Sequence, residues 1–329
     1  MVRRRQLESE LARLSEVRAD PRSPASLAHL RDALSNGASV VAAKAARIAG
    51  DHEIEGLAAD LVAAVDRFLA DPVRTDPGCK AKAAAAEALR RIGREDGDVF
   101  LRGVRHVQME PTFGSREDTA AEFRGVCGLA LAQMGHPQAL TELVHLLADR
   151  EPLARIAAAR ALGDTGRPEA VPLLRFKGLI GDPDPGVLGE VLAALLHLDA
   201  DDGLGFVAGY LHDPREAIAE GAALALGESR LDSAFEPLAD WWRMPPPAAL
   251  RRTCLLALAL LRRAEAFDLL LETVEKAPLR DALAALDALS TYRHDPRLAE
   301  RTREAAGRRG ASELSTAVEA AFPADDPSA

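Results

Sequence analysis

A chain of 329 residues that is 48% hydrophobic but only 4% aromatic has ample material for a core, and its Ala- and Leu-rich make-up favours helices over strands. The formal charge of 41 − 51 = −10 opposes general nucleic-acid binding and attachment to an anionic membrane. Three scattered cysteines, Cys79, Cys127 and Cys254, have no Cys-x-x-Cys spacing; they are expected as reduced, packed thiols, not a disulfide framework or a zinc site.

Residues 3–20 and 25–35 are predicted as helices within an N-terminal capping segment, 1–36. The opening MVRRRQLESELARLS has no apolar stretch behind its charges and does not read as a secretory signal. Apolar runs such as LLALALL (255–261) are too short to cross a bilayer. One phrase then recurs: Ala–Leu (Ala–Ala in the first copy), three residues, and a Gly or polar stop. It starts at Ala45, Ala88, Ala130, Ala161, Ala194, Ala225, Ala257 and Ala288, at intervals of 43, 42, 31, 33, 31, 32 and 31 residues. A period of that size with helical patterning predicts an all-α fold, an α-solenoid of about eight stacked helical pairs over 37–310. A C-terminal helix and a disordered tail are expected over 311–329.

The two long intervals hold Pro- and Gly-bearing insertions, ADPVRTDPGCK (70–80) and MEPTFGSREDTA (109–120). Both read as polar surface loops, which in repeat proteins often lie on a binding edge. The clearest unit is ARIAAARALGDTGRPEAVPLLRFKGLIGDPDP (154–185). Its first helix ends at Gly163–Gly166, where Gly accepts the left-handed cap; Pro168 opens a second helix, and GDPDP closes it. Counted from the stop residues Gly135, Gly166, Asp199, Arg230 and Arg262, offsets +5, +8 and +12 carry mostly apolar residues. Leu140, Leu143 and Leu147 are one set, and Phe235, Leu238 and Trp242 another. That spacing predicts a single buried face, with Trp242 in the core. The neighbouring +11 position reads Leu146, Lys177, Tyr210, Trp241 and Thr273 and is expected as a ridge beside it.

The phrase RIAAARALGDTGRPEAVPLL (155–174) resembles HEAT repeats, specifically the bacterial HEAT-like repeats of the phycobilin-lyase type, and the likeness extends over about residues 37–310. The resemblance implies the fold but spans chromophore lyases, a di-iron hydroxylase, DNA glycosylases and scaffolds. The hydroxylase pattern of repeated His-Glu dipeptides is missing; His52–Glu53 is the only copy and falls in a loop. Trp241, Trp242 and Asp240 are residue types that a glycosylase groove uses. From Gly178 to Asp240, however, thirteen acidic residues face two basic ones, Arg215 and Arg230, and a net of 2 − 13 = −11 repels phosphates. His145, His197 and His212 read as ordinary helix or turn residues. A lyase needs a tetrapyrrole site and a partner with an acceptor cysteine, and no feature here demands either.

The expectation is therefore a non-catalytic, cytoplasmic protein–protein interaction scaffold or adaptor. It uses a concave helical surface, requires no cofactor or metal, and has neither nucleic acid nor membrane as partner. Its site is expected at Lys177, Tyr210, Asp240 and Trp241, because aromatics in an acidic field suit a partner with a basic or Pro-rich segment. The Pro-rich MPPPAAL (244–250) reads as a rigid connector, and Arg293 to Arg309 as a more basic end. The alternative is an accessory lyase-like or modification enzyme of the same repeat class.

Overall fold

The computed structural model describes residues 2–93 and 97–323; the tail expected to be disordered lies, from residue 324 on, outside the described residues. The chain divides into two compact units, Met1–Gly166 and Arg167–Ala329. The first holds α1 (Val2–Val17), α2 (Pro24–Ser35), α3 (Ser39–Asp51), α4 (Ala58–Ala70), a single turn α5 (Pro72–Thr75), α6 (Lys80–Ile92), α7 (Gly97–Gly103), α8 (Ala121–Gln133), α9 (Ala139–Leu147) and α10 (Pro152–Asp164). A two-stranded hairpin, β1 (Met109–Thr112) and β2 (Ser115–Asp118), stands between α7 and α8. The second unit holds α11 (Val171–Ile180), α12 (Pro185–Leu198), α13 (Ala200–Gly209), α14 (Glu216–Ser229), α15 (Phe235–Arg243), α16 (Arg251–Leu260), α17 (Ala264–Lys276), α18 (Leu279–Ser290), α19 (Pro296–Arg309) and α20 (Ser312–Ala321). The fold is an all-α solenoid of stacked helical pairs. Among the described residues no helix is long and apolar enough to cross a membrane.

The repeated phrase is the core of the stack. Ala45, Ala88, Ala130, Ala161, Ala194, Ala225, Ala257 and Ala288 are all buried, and so is the residue after each. Small side chains let consecutive first helices come close. A methyl group on Gly227 of α14 would lie 2.5 Å from the Ala257 carbonyl oxygen of α16, and one on Gly50 of α3 2.8 Å from the Ala88 Cα of α6. The stop residues act as left-handed caps at Gly135 and Gly166 (both φ +63°), and also at Arg230 (φ +54°) and Arg262 (φ +57°). A non-glycine residue there costs about 1–2 kcal/mol.

The second helices bury +8 as predicted, and +12 at Leu147, Gly178, Leu211 and Val274, with Trp242 alone half-buried there, but the face extends toward +4 and +11 and not toward +5. Offset +8 is fully buried in every unit, at Leu143, Leu174, Val207, Leu238 and Leu270. Offset +5, however, is half-buried, and the buried neighbour is +4, which is Ala139, Ala170, Gly203, Ala234 and Ala266. Offsets +4, +8 and +11 are spaced four and three, so they share a helical face. The consequence falls on the two tryptophans. Trp241 is only 3% exposed, in line with Ala234 and Leu238, whereas Trp242 is half-buried with the Arg251 guanidinium 5.0 Å from its ring centroid. Their expected roles are exchanged.

The insertions also differ from the expected loops, because they are knit into one body. Residues 109–118 pair Met109 with Asp118 through Thr112 with Ser115, and Gly114 (φ +85°) turns the chain. The Gln108 amide donates to the Asp76 carbonyl (2.8 Å) and to Glu110 (2.6 Å), and Glu110 also accepts from the Gly78 N–H (2.7 Å) and the Thr119 hydroxyl (2.8 Å). Asp76 and Lys82 form an ion pair at 3.0 Å with both side chains fully buried. Arg124 bridges Asp118 (2.7 Å) and Asp149 (2.8 Å). This polar inner face leaves Val107, Met109, Pro111 and Phe113 exposed on the outside. The alternation was present in the sequence as apolar odd and polar even positions, but with the apolar side facing water.

Candidate interaction surface

Of the four expected site residues, two are not at the surface. Trp241 is in the core, and Lys177 is buried with its ammonium 2.7 Å from Asp182. Asp240 is exposed but engaged by Arg243 at 2.7 Å. Tyr210, just past the end of α13, is half-buried and meets Phe206 edge to face at 5.3 Å; burial first, then Asp213, raises its phenol pKa. No ridge of aromatics runs along the +11 positions, because +11 belongs to the buried face.

The surface that stands out lies on α11. Phe176, Leu179 and Ile180 are 63%, 73% and 60% exposed, and their spacing of three and four places them on one side of the helix. At 100° per residue that side is opposite Leu174, Lys177 and Gly178, which face inward. The equivalent positions in the other units are mostly polar or charged: His145, Asp240 and Glu272 match Phe176, while His212, Arg243 and Glu275 match Leu179. The three side chains expose roughly 350 Å² of apolar surface together, within the range where the largest patch on a monomer is often functional. The sequence carried this signal, as apolar residues at offsets +10, +13 and +14 in one unit alone.

Helix α13 flanks the patch. The Arg175 guanidinium donates to the Asp202 carbonyl at 2.7 Å and lies 5.4 Å from the Phe206 ring centroid. A methyl group on Gly178 would come within 3.0 Å of the Phe206 ring and 3.4 Å of the Tyr210 hydroxyl. Glycine is needed there for the rings to lie against α11. These contacts align 175 with 202 and 178 with 206 and 210, so α11 and α13 run side by side in the same direction.

Charge refines the picture. Four cations just outside the window reduce the −11 of Gly178–Asp240 to −11 + 4 = −7. Arg175 lies 3.9 Å from Asp199, Lys177 pairs with Asp182, Arg243 with Glu236 and Asp240, and Arg263 with Asp232. The exposed carboxylates of Asp201, Asp202, Glu216 and Glu228 keep no such partner among the described residues. Two of these, Asp201 and Asp202, open α13 beside the patch.

The grooves between first helices are different in kind. One of about 380 Å³ has a floor of Ala46, Gly50, Ala83, Ala84 and Ala88; on its rim Arg91 pairs with Asp51 (2.9 Å) and Glu87 (2.8 Å) and Lys80 with Glu122 (3.2 Å), while the exposed Arg47 has no acidic partner among the described residues. A second, of about 470 Å³, is rimmed by Arg252–Asp287 (2.6 Å), Arg251–Asp281 (2.9 Å) and the exposed Arg280, which has no acidic partner among the described residues. The histidines His145, His197 and His212 are exposed, on α9, on α12 and in a turn. Among the described residues no three His, Cys, Asp or Glu side chains are grouped to hold a metal ion. Cys79, Cys127 and Cys254 are free and buried; burial pushes the thiols of Cys79 and Cys254 up to about 12 and that of Cys127 well above its ordinary value.

Residues 114–175 and 175–259 match the family model of HEAT repeats. The chain carries HEAT repeats over these residues. Solved structures similar to this chain include the complex of CpcE and CpcF of phycocyanin lyase from a Nostoc species, at 18% identity, covering 75% of this chain and 93% of that one with a TM-score of 0.38. Human deoxyhypusine hydroxylase in complex with glycerol is similar at 18% identity, 81% and 96% coverage and a TM-score of 0.30. An engineered protein is similar at 17% identity, 94% and 90% coverage and a TM-score of 0.36. No curated protein matches this chain significantly.

Proposed function

We propose that this protein is a non-catalytic interaction scaffold, cytoplasmic, whose partner docks on the outer face of α11 and the flank of α13. The observation that carries the reading is the exposure of Phe176, Leu179 and Ile180 at positions that other units fill mostly with polar side chains. Leaving one Leu-sized side chain in water forgoes about 1.5–3 kcal/mol relative to burying it, and a partner recovers that energy. The free carboxylates of Asp201 and Asp202 supply a charged rim, so the partner carries Lys or Arg beside its apolar contacts. The reading supersedes Trp241 and Lys177 as contact residues and retains Tyr210 at the edge. An accessory lyase-like or modification enzyme calls for a pocket in which polar groups converge, whereas each of the two grooves has an alanine-rich lining, ion pairs, and one leftover arginine, Arg47 or Arg280.

Photo-cross-linking in cells tests the proposal, with a cross-linking amino acid placed in turn at Leu179, Phe113, Arg47 and Arg252. The expected result is one dominant protein adduct from position 179, whose purified partner then binds the wild-type chain and binds a Leu179→Ser variant at least tenfold less. Dominant adducts from the groove positions 47 or 252, or a partner indifferent to Leu179→Ser, would remove the reading.

A further inference from the structure

We infer that the docked segment is an amphipathic α-helix with a Lys or Arg toward one end, laid along α11 and α13. This rests on the docking reading above and specifies its occupant. Among the described residues of Arg167–Ala329 no strand is present, so there is no sheet edge for a peptide to extend. The rings of Phe206 and Tyr210 meet at 62°, edge to face, so they do not form the open aromatic groove that a proline-rich peptide fills. The remaining surface is a row of knobs at 176, 179 and 180, beside a second helix running the same way. Knobs spaced three and four are the ridges that another helix receives in its grooves. A helix covering Phe176 to Ile180 and reaching Tyr210 needs about three turns, roughly 10–12 residues.

Charge sets the direction. The alignment of 175 with 202 and of 178 with 210 puts Asp201 and Asp202 at the Phe176 end of the patch and Tyr210 at the Leu179 end. A cation therefore belongs over Phe176, where it meets two carboxylates without partners. The opposite end offers Asp213, already held by Arg215 at 3.0 Å.

The test uses fluorescein-labelled peptides of about 16 residues and the full chain, read by fluorescence anisotropy at low salt. One peptide is a helix with a Leu stripe and Lys at one end; a second has Glu for Lys; a third has the composition of the first with the stripe scrambled; a fourth is the first interrupted by proline. The Lys-bearing helix is expected to bind at least tenfold more tightly than the other three and to lose at least tenfold on Leu179→Ser. Its preference over the Glu peptide should shrink to within about twofold in an Asp201→Asn/Asp202→Asn variant. Circular dichroism of both variants should match wild type. Equal binding of the scrambled peptide, or failure of every helical peptide to bind, overturns the inference. Binding of the proline-interrupted peptide through Leu179 overturns the helix but leaves the docking face standing. A chain that sedimented as a dimer and reverted to monomer on Leu179→Ser would make a second copy the occupant and end the proposal. If no peptide responds to Leu179→Ser and cross-linking from position 179 also fails, both readings fall.

Discussion

Truncating the two adjacent tryptophans separates the buried face seen here from the one that the apolar spacing suggests. Trp241 is 3% exposed on a face shared with Ala234 and Leu238. A buried tryptophan removes up to about 250 Å² from water, which at about 25 cal/mol/Å² is about 6 kcal/mol gross. A compact unfolded state lowers that by roughly 10–40%, so Trp241→Ala should cost about 3–5 kcal/mol, as other buried aromatic truncations do. Trp242 is half-buried, and its main specific contact is the Arg251 guanidinium at 5.0 Å. Losing that contact and part of the area should cost about 1–2 kcal/mol. Urea unfolding of the two variants, followed by far-ultraviolet circular dichroism, gives both midpoints against wild type. If Trp242→Ala lowers the midpoint as much as Trp241→Ala, or more, the +4/+8/+11 face is wrong.

Three further outcomes follow from local geometry. Gly227→Ala should destabilise by about 1–3 kcal/mol, because its methyl would meet the Ala257 backbone at 2.5 Å and separate α14 from α16; an unchanged melting temperature contradicts that close approach. Arg230→Gly should stabilise by about 0.5–1 kcal/mol, since relief of the left-handed strain at φ +54° exceeds the extra chain entropy of glycine; a lower midpoint would show that the arginine side chain matters more than its backbone. Burial, the largest single influence, pulls Glu110 and Asp118 upward, but hydrogen bonds together outweigh it and hold both below the usual carboxylate range: from Thr119, Gln108 and the Gly78 N–H for Glu110, and from the Gln108 and Ala120 N–H groups and Arg124 for Asp118. Carboxylates depressed in the folded state contribute stability that is present above their unfolded values, near 4, and lost as pH falls through the folded ones. An Asp118→Asn variant should therefore show a shallower loss of stability between about pH 4 and pH 2 than wild type, and an identical acid limb would contradict the hairpin anchor.

The stack was legible in the sequence because its cause is periodic. An Ala-Leu pair in each first helix must meet the next one, so burial repeats with the phrase from Ala45 to Ala288. On the second helices +8 and most of +12 were legible; +4 was missed because Ala and Gly are too small to register as hydrophobic, although their smallness is what lets that face close. The hairpin was missed because its burial is polar: Gln108, Glu110 and Asp118 are tied to Asp76, Gly78 and Arg124, and neither insertion indicates by itself that the two meet. The acidic field was overstated for a related reason, since Arg175, Lys177, Arg243 and Arg263 lie outside Gly178–Asp240 in sequence but against it in space. The patch on α11 is legible in the sequence itself, where Phe176, Leu179 and Ile180 stand at offsets that other units fill mostly with polar residues.

The most direct test of the docking claim is a calorimetric titration of the partner identified from position 179 with three purified proteins: wild type, Leu179→Ser/Ile180→Ser and Arg252→Ala. The double variant is expected to bind at least tenfold more weakly, while Arg252→Ala, which removes an arginine already paired with Asp287 in a groove, is expected to bind like wild type. Equal affinity of wild type and the α11 double variant, or a loss confined to Arg252→Ala, would contradict the docking claim.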